Sequence, residues 1–491
     1  MSAPRRPDVI SKRTALVALA LLTLLAAALR IYGLNSELWY DEIKTVLDSV
    51  RPSLASILTV FPSNNDHKFY SLLAHFSVNA FGEAPWSLRL PSVLFATATI
   101  PLLYVFGRQV TSRLETLLAV ALLVVSYHHI WYAQSARGYT MLLFFTLTMS
   151  ALLVSAIRTP HAKTYALYAG VAALGCYTHL TMVYVVVSHA MIVGANILLS
   201  QKGAFRLKPF YLPAFGFILA GVFTILLYLP LFSDVATFFE EKKVEPDKQV
   251  ATAGWALMET LRGLNVGFAG IAGALVALGV LAVGFLSYLR QSLTLAALFV
   301  LPAPVIVAAA VLMDRPTFPR FFFVLAGFAL LVLVRGAFVM GRAVATRAPP
   351  PNFLGPREAG WGVLLSLVLI IASAMSLSAQ YASPKQNFSG VIAFLEQQAA
   401  PGEAIYLLGG SVGIPIDDYY GKTWPVIFEP AEIVDAARRK SFIAYTFEDY
   451  IKLRRPLVWA ALGAHCVKAA SFSGTVRGSD VVAMECGGQA L

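Results

Sequence analysis

Two adjacent carboxylates, Asp41 and Glu42, follow the first long apolar run of the chain. They stand in the sequence LWYDEI, in which Tyr40 and a tryptophan are side chains that favour a membrane boundary. A carboxylate at the edge of hydrocarbon loses hydration and becomes a better base for a hydroxyl proton. A solvated acidic turn would account for the same residues. The pair therefore indicates either a general base at a membrane surface or an ordinary turn.

A second polar group, Asn64 to Lys68, follows in the same loop. It offers the carboxylate of Asp66, the imidazole of His67 and the ammonium group of Lys68 within reach of one another. Arg89, at the start of the next apolar run, is suited to hold a lipid phosphate or simply to reach the headgroups. Taken singly these are common loop residues, so their value depends on whether they lie on one side of a membrane.

A third polar group occupies the turn at 126–139, between two apolar runs, and contains Arg137 and Tyr139. The neighbouring His128 and His129 raise the question of a metal site. Consecutive residues on a helix point apart and seldom share an ion, so a metal is not favoured here. Three further polar residues complete the candidates: His179, Arg315 and Arg320.

The elements that position these residues are membrane helices. Of the 491 residues 58% are hydrophobic and 13% are charged, whereas a soluble globular protein has about a quarter charged. Apolar runs of roughly 20 residues, each able to cross the bilayer as a helix, recur and then stop. We expect about eleven spans, at 14–34, 88–108, 114–131, 138–157, 164–179, 181–200, 209–231, 265–289, 292–313, 320–341 and 360–380.

Lysine and arginine residues predict the orientation of these spans. They concentrate in alternate short connectors, beginning with the N-terminal tail, which is typical of cytoplasmic loops. In a bacterial inner membrane this places the N-terminus inside and the long first loop, 35–87, and the C-terminal tail outside. Residues 69–82 of that loop are apolar but short, and predict an amphipathic helix at the interface. Because the net charge of +11 is spread over connectors, no nucleic-acid partner is expected.

The tail changes character and predicts a separate small domain. Residues 388–400 have helical periodicity, and strands are expected at AIYLLGG, PLVWAAL and DVVAMEC. Cys466 and Cys486 are able to form a disulfide if the tail is extracytoplasmic, and the sequence leaves this open. The fold class is therefore an all-α polytopic membrane protein, 1–380, with a C-terminal α/β extracytoplasmic domain, 381–491.

Several polar segments of the membrane part match the motifs of one family. They are LWYDEI after the first helix, RLPS at the opening of the second span, the QSARGY turn, THL, and the later RFFFVLAGFALL. In these motifs the chain resembles the GT-C glycosyltransferases, specifically bacterial relatives of dolichyl-phosphate-mannose protein mannosyltransferases and of the lipid A aminoarabinose transferase. One departure is that His67, Lys68 and a phenylalanine replace the family's His-Pro-Pro.

The resemblance implies transfer of a sugar from a polyprenyl-phosphate donor to a hydroxyl of a periplasmic lipid, glycan or protein. It implies Asp41 as the general base, Glu42 as its support, and Arg89, Lys68 and Arg137 around the donor phosphate. One displacement by a single base inverts the sugar carbon. A bound divalent cation is a further possible source of positive charge at the phosphate. The remaining candidate substrate contacts are Asp66, His67, Tyr40, Tyr139, His179 and Arg320.

Two other functions stay open at this point. A transporter or flippase of lipid-linked sugars would move the intact donor, although such proteins hold their polar site near the midplane and have repeated halves. A non-catalytic assembly protein would leave Asp41 and Glu42 merely solvated. The pocket is built from loops far apart in sequence, so the motifs indicate a class of reaction rather than a particular sugar or acceptor.

Overall fold

The computed structural model describes residues 8–63, 65–201, 205–240, 252–268, 270–348, 350 and 357–487. Within these ranges a helical membrane part is followed by a small sheet domain. Asn64, one of the candidates above, lies outside the described residues.

The membrane part is built from long apolar helices with short helices in the connecting loops. Its elements are α1 (Lys12–Ile31), α2 (Tyr40–Thr45), α3 (Leu54–Thr59), α4 (Lys68–Phe81), α5 (Pro85–Val110), α6 (Arg113–Val124), α7 (Tyr127–Ala133), α8 (Tyr139–Arg158), α9 (Ala162–Thr178), α10 (Met182–Ser200), α11 (Tyr211–Tyr228), α12 (Phe232–Glu240), α13 (Ala253–Gly267), α14 (Ile271–Gln291), α15 (Leu293–Val300), α16 (Pro302–Leu312), α17 (Ala326–Ala345), α18 (Arg357–Met375) and α19 (Leu377–Ala382).

All eleven predicted spans coincide with helices in the described chain, so this is a multi-pass membrane protein. Eight helical segments are long and apolar enough to cross a bilayer, or ten if each of two bent pairs is one span. The eleventh, α9, has 17 residues and is about 25 Å long. It is shorter than the ~30 Å hydrocarbon core. The helix is where it was predicted, at 164–179, and its crossing of the bilayer stays a prediction.

The two bent pairs have different causes. The axes of α15 and α16 differ by 47°, and Pro302, which has no backbone N–H, begins α16. The axes of α6 and α7 differ by 57°. At that break Arg30 of α1 donates to the carbonyl oxygens of Leu123 (3.0 Å) and Val124 (3.2 Å), and its Nη2 lies 2.5 Å from Nδ1 of His129. A buried arginine thus satisfies carbonyls that the end of α6 leaves open.

Helices α14 and α17 pack with their backbones in contact. A Cβ atom added to Gly284 would lie 1.9 Å from the carbonyl oxygen of Val332, and one added to Gly336 would lie 1.9 Å from that of Val280. Both obstacles are backbone atoms and cannot rotate away. Small residues at such crossings let membrane helices approach closely, where van der Waals contact holds them together.

We therefore expect Gly284→Ala to lower the free energy of unfolding by about 1–3 kcal/mol, as overpacking does elsewhere. The matched control is Gly279→Ala on the same helix, where an added Cβ meets nothing within 4 Å. Thermal denaturation of the detergent-purified variants is the measurement. Equal melting temperatures for the two variants would contradict the close contact.

The long first loop is mostly helical and is fastened to the second span. Its longest helix, α4, has 14 residues and is not among the candidate spans, in agreement with a short helix predicted at 69–82. Tyr70 of α4 donates to the carbonyl oxygen of Leu88 (2.6 Å), and Ser77 donates to that of Ser87 (2.6 Å). The loop therefore has a fixed place beside α5.

The C-terminal domain is a mixed sheet with helices. Its elements are α20 (Phe388–Gln398), β1 (Ala404–Leu408), α21 (Gly410–Ile414), β2 (Val426–Ile427), α22 (Pro430–Ala436), β3 (Ser441–Tyr445), α23 (Glu448–Arg454), α24 (Pro456–His465), β4 (Cys466–Phe472) and β5 (Val481–Cys486). The order of the strands in the sheet is β2-β1-β3-β5-β4. Strand β1 pairs in parallel with β2 and with β3, and β5 pairs antiparallel with β3 and with β4.

Two details of this domain bear on the sequence predictions. The segment PLVWAAL is wrong as a strand: it forms α24, which begins with Pro456 at the favoured first helical position. Cys466 and Cys486, left open above, are joined by a disulfide between β4 and β5. The boundary between the domains 1–380 and 381–491 stays a prediction, since α19 continues to Ala382.

Candidate active site

The two acidic residues of α2 have different surroundings although they are adjacent. Consecutive residues on a helix point in different directions, and both lie in the first turn, where negative charge is favoured. The side chain of Glu42 is fully buried, whereas that of Asp41 is 17% exposed. Only Asp41 can meet a molecule that arrives from outside the protein.

Asp41 lies beside two arginines. Its Oδ2 is 3.3 Å from Nη1 of Arg137 and 3.7 Å from Nη1 of Arg320. Arg137 also donates to Oδ1 of Asn65 and, at 3.3 Å, to the hydroxyl of Tyr139. The structure thus brings together, around one partly exposed carboxylate, residues from the first loop, from the α7–α8 turn and from the segment before α17.

Glu42 is held from several directions by a buried cation. Its Oε1 and Oε2 accept from Nε (2.8 Å) and Nη2 (2.7 Å) of Arg89, and Oε1 also accepts from the backbone N–H of Ala136 (2.6 Å). Burial alone would raise the pKa of Glu42, but the charges of Arg89 and Lys385 and these hydrogen bonds lower it below its ordinary value. Glu42 is therefore an ionised anchor that fixes α2 against α5 and the α7–α8 turn.

Arg89 and Lys68 are also bound by acceptors within the protein. The sequence predicted instead that these two side chains contact the donor phosphate. The remaining N–H groups of Arg89 donate to carbonyl oxygens of Leu34, Ser36 and Glu37, so every guanidinium hydrogen has a protein acceptor. Lys68 lies 2.6 Å from Oδ2 of Asp66 and donates to two backbone carbonyls of the first loop. The other carboxylate oxygen of Asp66, Oδ1, accepts a hydrogen bond from the hydroxyl of Ser71 (2.8 Å).

A pair of histidines lies next to Arg137. The rings of His67 and His179 are 4.7 Å apart, and Tyr139 packs on His67 at 4.9 Å. Burial, with the nearby charges of Arg137 and Arg320, lowers the pKa of His67 well below its ordinary value and that of His179 to about 3. Both rings are therefore neutral at neutral pH, and each offers one donor and one acceptor nitrogen.

Three buried nitrogens of this cluster have no hydrogen-bond partner among the described residues. They are both ring nitrogens of His67 and Nε of Arg137. Buried polar groups are nearly always paired in native proteins, so such exceptions call for an explanation. Their position beside Asp41 indicates groups available to a polar ligand.

Gly138 sets the spacing between the arginine turn and the histidines. A Cβ atom at this position would lie 2.6 Å from Cγ2 of Thr178 and 3.0 Å from Nδ1 of His67. The glycine therefore lets α8 begin directly against the histidine ring.

Tyr40 lies at the N-terminal end of α2, on the side facing the C-terminal domain. Burial, followed by the charges of Asp41 and Asp48, raises its pKa to about 12. Its ring packs edge-on against Phe447 at 6.3 Å. Tyr40 thus marks a contact between domains, away from the arginines.

Two residues at this junction are absent from the sequence-based candidates. Lys385 is buried, donates to the carbonyl of Gln134 and the hydroxyl of Ser135, and lies 4.0 Å from Glu42. Gln386 accepts from the backbone N–H of Tyr40 (2.7 Å). Both follow the last apolar run in an ordinary polar segment, and no motif distinguishes them. Only the docking of the C-terminal domain reveals them.

Lys385 predicts a measurable pH effect. Burial, only partly offset by Glu42, lowers its pKa to about 7 from 10.5. The folded state then binds fewer protons than the unfolded state between these values, so the stability contributed at this site rises with pH from about 7 to 10. We expect the melting temperature of Lys385→Met to rise less between about pH 7 and 10 than that of wild type. The two proteins have every other titrating group in common, so the difference reports Lys385. A parallel offset at all pH values would contradict the lowered pKa of buried Lys385.

The surroundings of Asp41 do not fit a metal ion. Among the described residues no group of three or more His, Cys, Asp or Glu side chains is arranged to hold one. A divalent cation at Asp41 would also meet the repulsion of Arg137 and Arg320. These residues fit an anion better, and we assign the positive charge of the site to the two arginines.

Comparison with known proteins finds one family model and several solved structures of similar fold. The model of the dolichyl-phosphate-mannose-protein mannosyltransferase family matches residues 69–228. No curated protein matches the sequence significantly. ArnT from Cupriavidus metallidurans, solved with undecaprenyl phosphate, is similar with a TM-score of 0.52 and 11% identity over 95% of this chain and 97% of that chain.

A second solved structure extends the likeness. AglB, the oligosaccharyltransferase of the archaeon Archaeoglobus fulgidus in complex with an inhibitory peptide and a dolichol-phosphate, has a TM-score of 0.55 and 12% identity over 96% of this chain and 74% of that chain. At such identities the structures share the fold. The chain thus shares the fold of these membrane glycosyltransferases, and its residues 69–228 resemble the dolichyl-phosphate-mannose-protein mannosyltransferase family.

Proposed function

We propose that the protein transfers one sugar from a polyprenyl-phosphate carrier to a hydroxyl of an extracytoplasmic lipid, glycan or protein. The observation that carries the proposal is the partly exposed carboxylate of Asp41, flanked by Arg137 and Arg320. It combines a group able to accept a proton with groups able to bind a phosphate. The family match and the lipid phosphates present in the two similar structures support the choice of donor.

In this mechanism Asp41 takes the proton of the acceptor hydroxyl as its oxygen attacks the anomeric carbon. The bond from that carbon to the phosphate oxygen breaks, and polyprenyl phosphate leaves with the bonding electrons. A single displacement inverts the anomeric centre. The leaving phosphate gains negative charge in the transition state, where guanidinium groups stabilise it.

Arg137 and Arg320 are the phosphate contacts in this proposal, in place of Arg89 and Lys68. Guanidinium groups bind phosphate oxygens through paired hydrogen bonds. Arg137 has Nε without a partner among the described residues, and Arg320 is 31% exposed. The neutral ring of His67 supplies a donor and an acceptor of the kind that a sugar hydroxyl needs. Asp41 meets the acceptor from the exposed side.

We also place the site on the outer face of a bacterial inner membrane, with the N-terminus in the cytoplasm. The basic connectors support this orientation. The disulfide between Cys466 and Cys486 supports it independently, because disulfides persist outside the reducing cytoplasm. Since the C-terminal domain contacts α2 directly, one side of the membrane holds both.

The test uses purified protein in liposomes with synthetic polyprenyl phosphates that carry different radiolabelled sugars. Bacterial envelope lipids and glycans serve as acceptors, and protein-free liposomes are the control. We expect labelled acceptor and free polyprenyl phosphate in equal amounts. The anomeric configuration of the product checks inversion.

The same liposomes separate a flippase from a transferase. A flippase would carry intact labelled donor across the bilayer and form no glycosidic bond, which would overturn the proposal. Formation of product with retained configuration would keep the transferase but contradict the single displacement.

A further inference from the structure

The helix that carries Asp41 receives one of its N-terminal hydrogen bonds from another domain. Within the first loop, the N–H of Trp39 donates to Oε2 of Glu42 (3.3 Å), which leaves the next N–H, that of Tyr40, to be satisfied. The first N–H groups of a helix have no partner within it, and a Ser, Thr, Asp or Asn before the helix usually accepts one. The residue before α2 is Trp39, whose side chain has no oxygen. Instead the N–H of Tyr40, the first residue of α2, donates to Oε1 of Gln386 (2.7 Å).

The amide of Gln386 is itself oriented by the C-terminal sheet. Its Nε2 donates to Oγ1 of Thr446 (3.2 Å) and to the carbonyl of Ser479 (3.4 Å), and Thr446 donates to the same carbonyl (3.0 Å). Thr446 directly follows β3, and Ser479 lies just before β5. Gln386 is fully buried. The amide oxygen therefore points at α2 because the sheet holds the amide nitrogen.

A strained residue supports the same junction. Phe447 has φ of 56°, in the left-handed region that a bulky side chain rarely occupies. Its ring contacts that of Tyr40. Such strain persists where the surrounding structure holds it, and it concentrates at functional sites.

We propose that Gln386 is a positioning residue: it caps α2 from the C-terminal domain and thereby fixes Asp41 between Arg137 and Arg320. This inference rests on the proposed function, in which Asp41 is the base. Asp41 is the second residue of α2, so loss of the cap would loosen the turn that carries the carboxylate. A base displaced by about 1 Å can lose roughly 100-fold in rate.

A second contact at this interface provides a matched control. Glu37, before α2, accepts from the backbone N–H (2.6 Å) and the hydroxyl (3.1 Å) of Ser389 and from the hydroxyl of Tyr420 (2.6 Å). Ser389→Ala removes one of these bonds and leaves the others. It changes the interface without touching α2.

The experiment compares wild type, Gln386→Leu, Gln386→Glu and Ser389→Ala in the same liposome assay, with amide hydrogen exchange of the peptide that contains Tyr40. We expect Gln386→Leu to exchange roughly 10-fold faster there, as the loss of a helix cap implies. Its kcat should fall roughly 10- to 100-fold with a smaller change in KM. Gln386→Glu keeps an oxygen for Tyr40 but loses the N–H groups that donate to Thr446 and to the carbonyl of Ser479, so its kcat should lie between those of Gln386→Leu and wild type. Ser389→Ala should resemble wild type.

The outcomes distinguish this inference from the proposed function. Wild-type protein without transferase activity would remove the function, while the exchange data would still test the cap. Active wild type with an equally active Gln386→Leu would overturn the positioning role and leave the function intact. A slow Gln386→Leu with unchanged exchange in α2 would also overturn it. If Gln386→Leu does not fold, the isosteric Gln386→Glu carries the comparison.

Discussion

Replacing Asp41 by asparagine is expected to lower kcat for sugar transfer about 100- to 10,000-fold, the usual contribution of a positioned base. The amide keeps the size of the side chain and can still contact Arg137, but it cannot accept the proton of the acceptor hydroxyl. The fold should survive, because Asp41 is partly exposed and the buried anchor of α2 is Glu42.

Asp48→Asn is the matched control for this variant. Asp48 lies just beyond α2, is 33% exposed and pairs with Lys44 at 2.9 Å. The substitution removes the same charge from the same loop without touching the arginines, so its kcat should stay near that of wild type. Full activity of folded, inserted Asp41→Asn would eliminate Asp41 as the base. Equal losses of kcat in Asp41→Asn and Asp48→Asn would mean that the loss comes from the changed charge of the loop and not from a missing base.

Replacing Glu42 by glutamine is expected to affect the fold first. The variant leaves the buried guanidinium of Arg89 without its counter-ion and places it near the ammonium group of Lys385. Removing one partner of a buried ion pair costs about 3–5 kcal/mol, since the other charge stays buried. The melting temperature in detergent should fall markedly, and transfer activity should fall with the folded fraction.

The first loop contains an exposed pair of the same kind for comparison. Arg51 and Glu83 contact each other at 2.8 Å, with side chains that are 41% and 34% exposed. Glu83→Gln should cost no more than about 1 kcal/mol, because water screens exposed pairs. If Glu42→Gln melted like Glu83→Gln while activity vanished, Glu42 would have a chemical role rather than an anchoring one.

Much of the fold was predictable because the bilayer imposes strong patterns. Apolar runs placed the candidate spans to within about six residues, and the length of 69–82 distinguished a loop helix from a span. The bend between α15 and α16 has a signal in the sequence, Pro302, whereas the bend between α6 and α7 has none nearby. The break between α6 and α7 depends on Arg30, which is distant in sequence from the carbonyls that it satisfies. By hydropathy alone, the apolar segment 114–131 appears to be one continuous helix.

The sequence predicted most residues of the candidate site, but it did not predict which of them lie around Asp41 and which anchor α2. Asp41, Arg137, His67, His179 and Arg320 lie together in the structure. Glu42 and Arg89 are instead paired with each other, and that pairing depends on how α2 packs against elements far along the chain. Gln386 and Lys385 come from the other domain, and a short-range motif contains no information about such a contact.

The cap on α2 also has a consequence for the order of biosynthesis. Gln386 follows Tyr40 by 346 residues, and Thr446 and Ser479, which orient it, emerge later still. A nascent chain that has inserted its early helices therefore carries Asp41 on a turn that still lacks the hydrogen bond from Gln386. The contacts that hold α2 are complete only when the last strands have been synthesised and have folded. Under the proposed function, chains that still lack these strands would hold the base less firmly and transfer sugar more slowly.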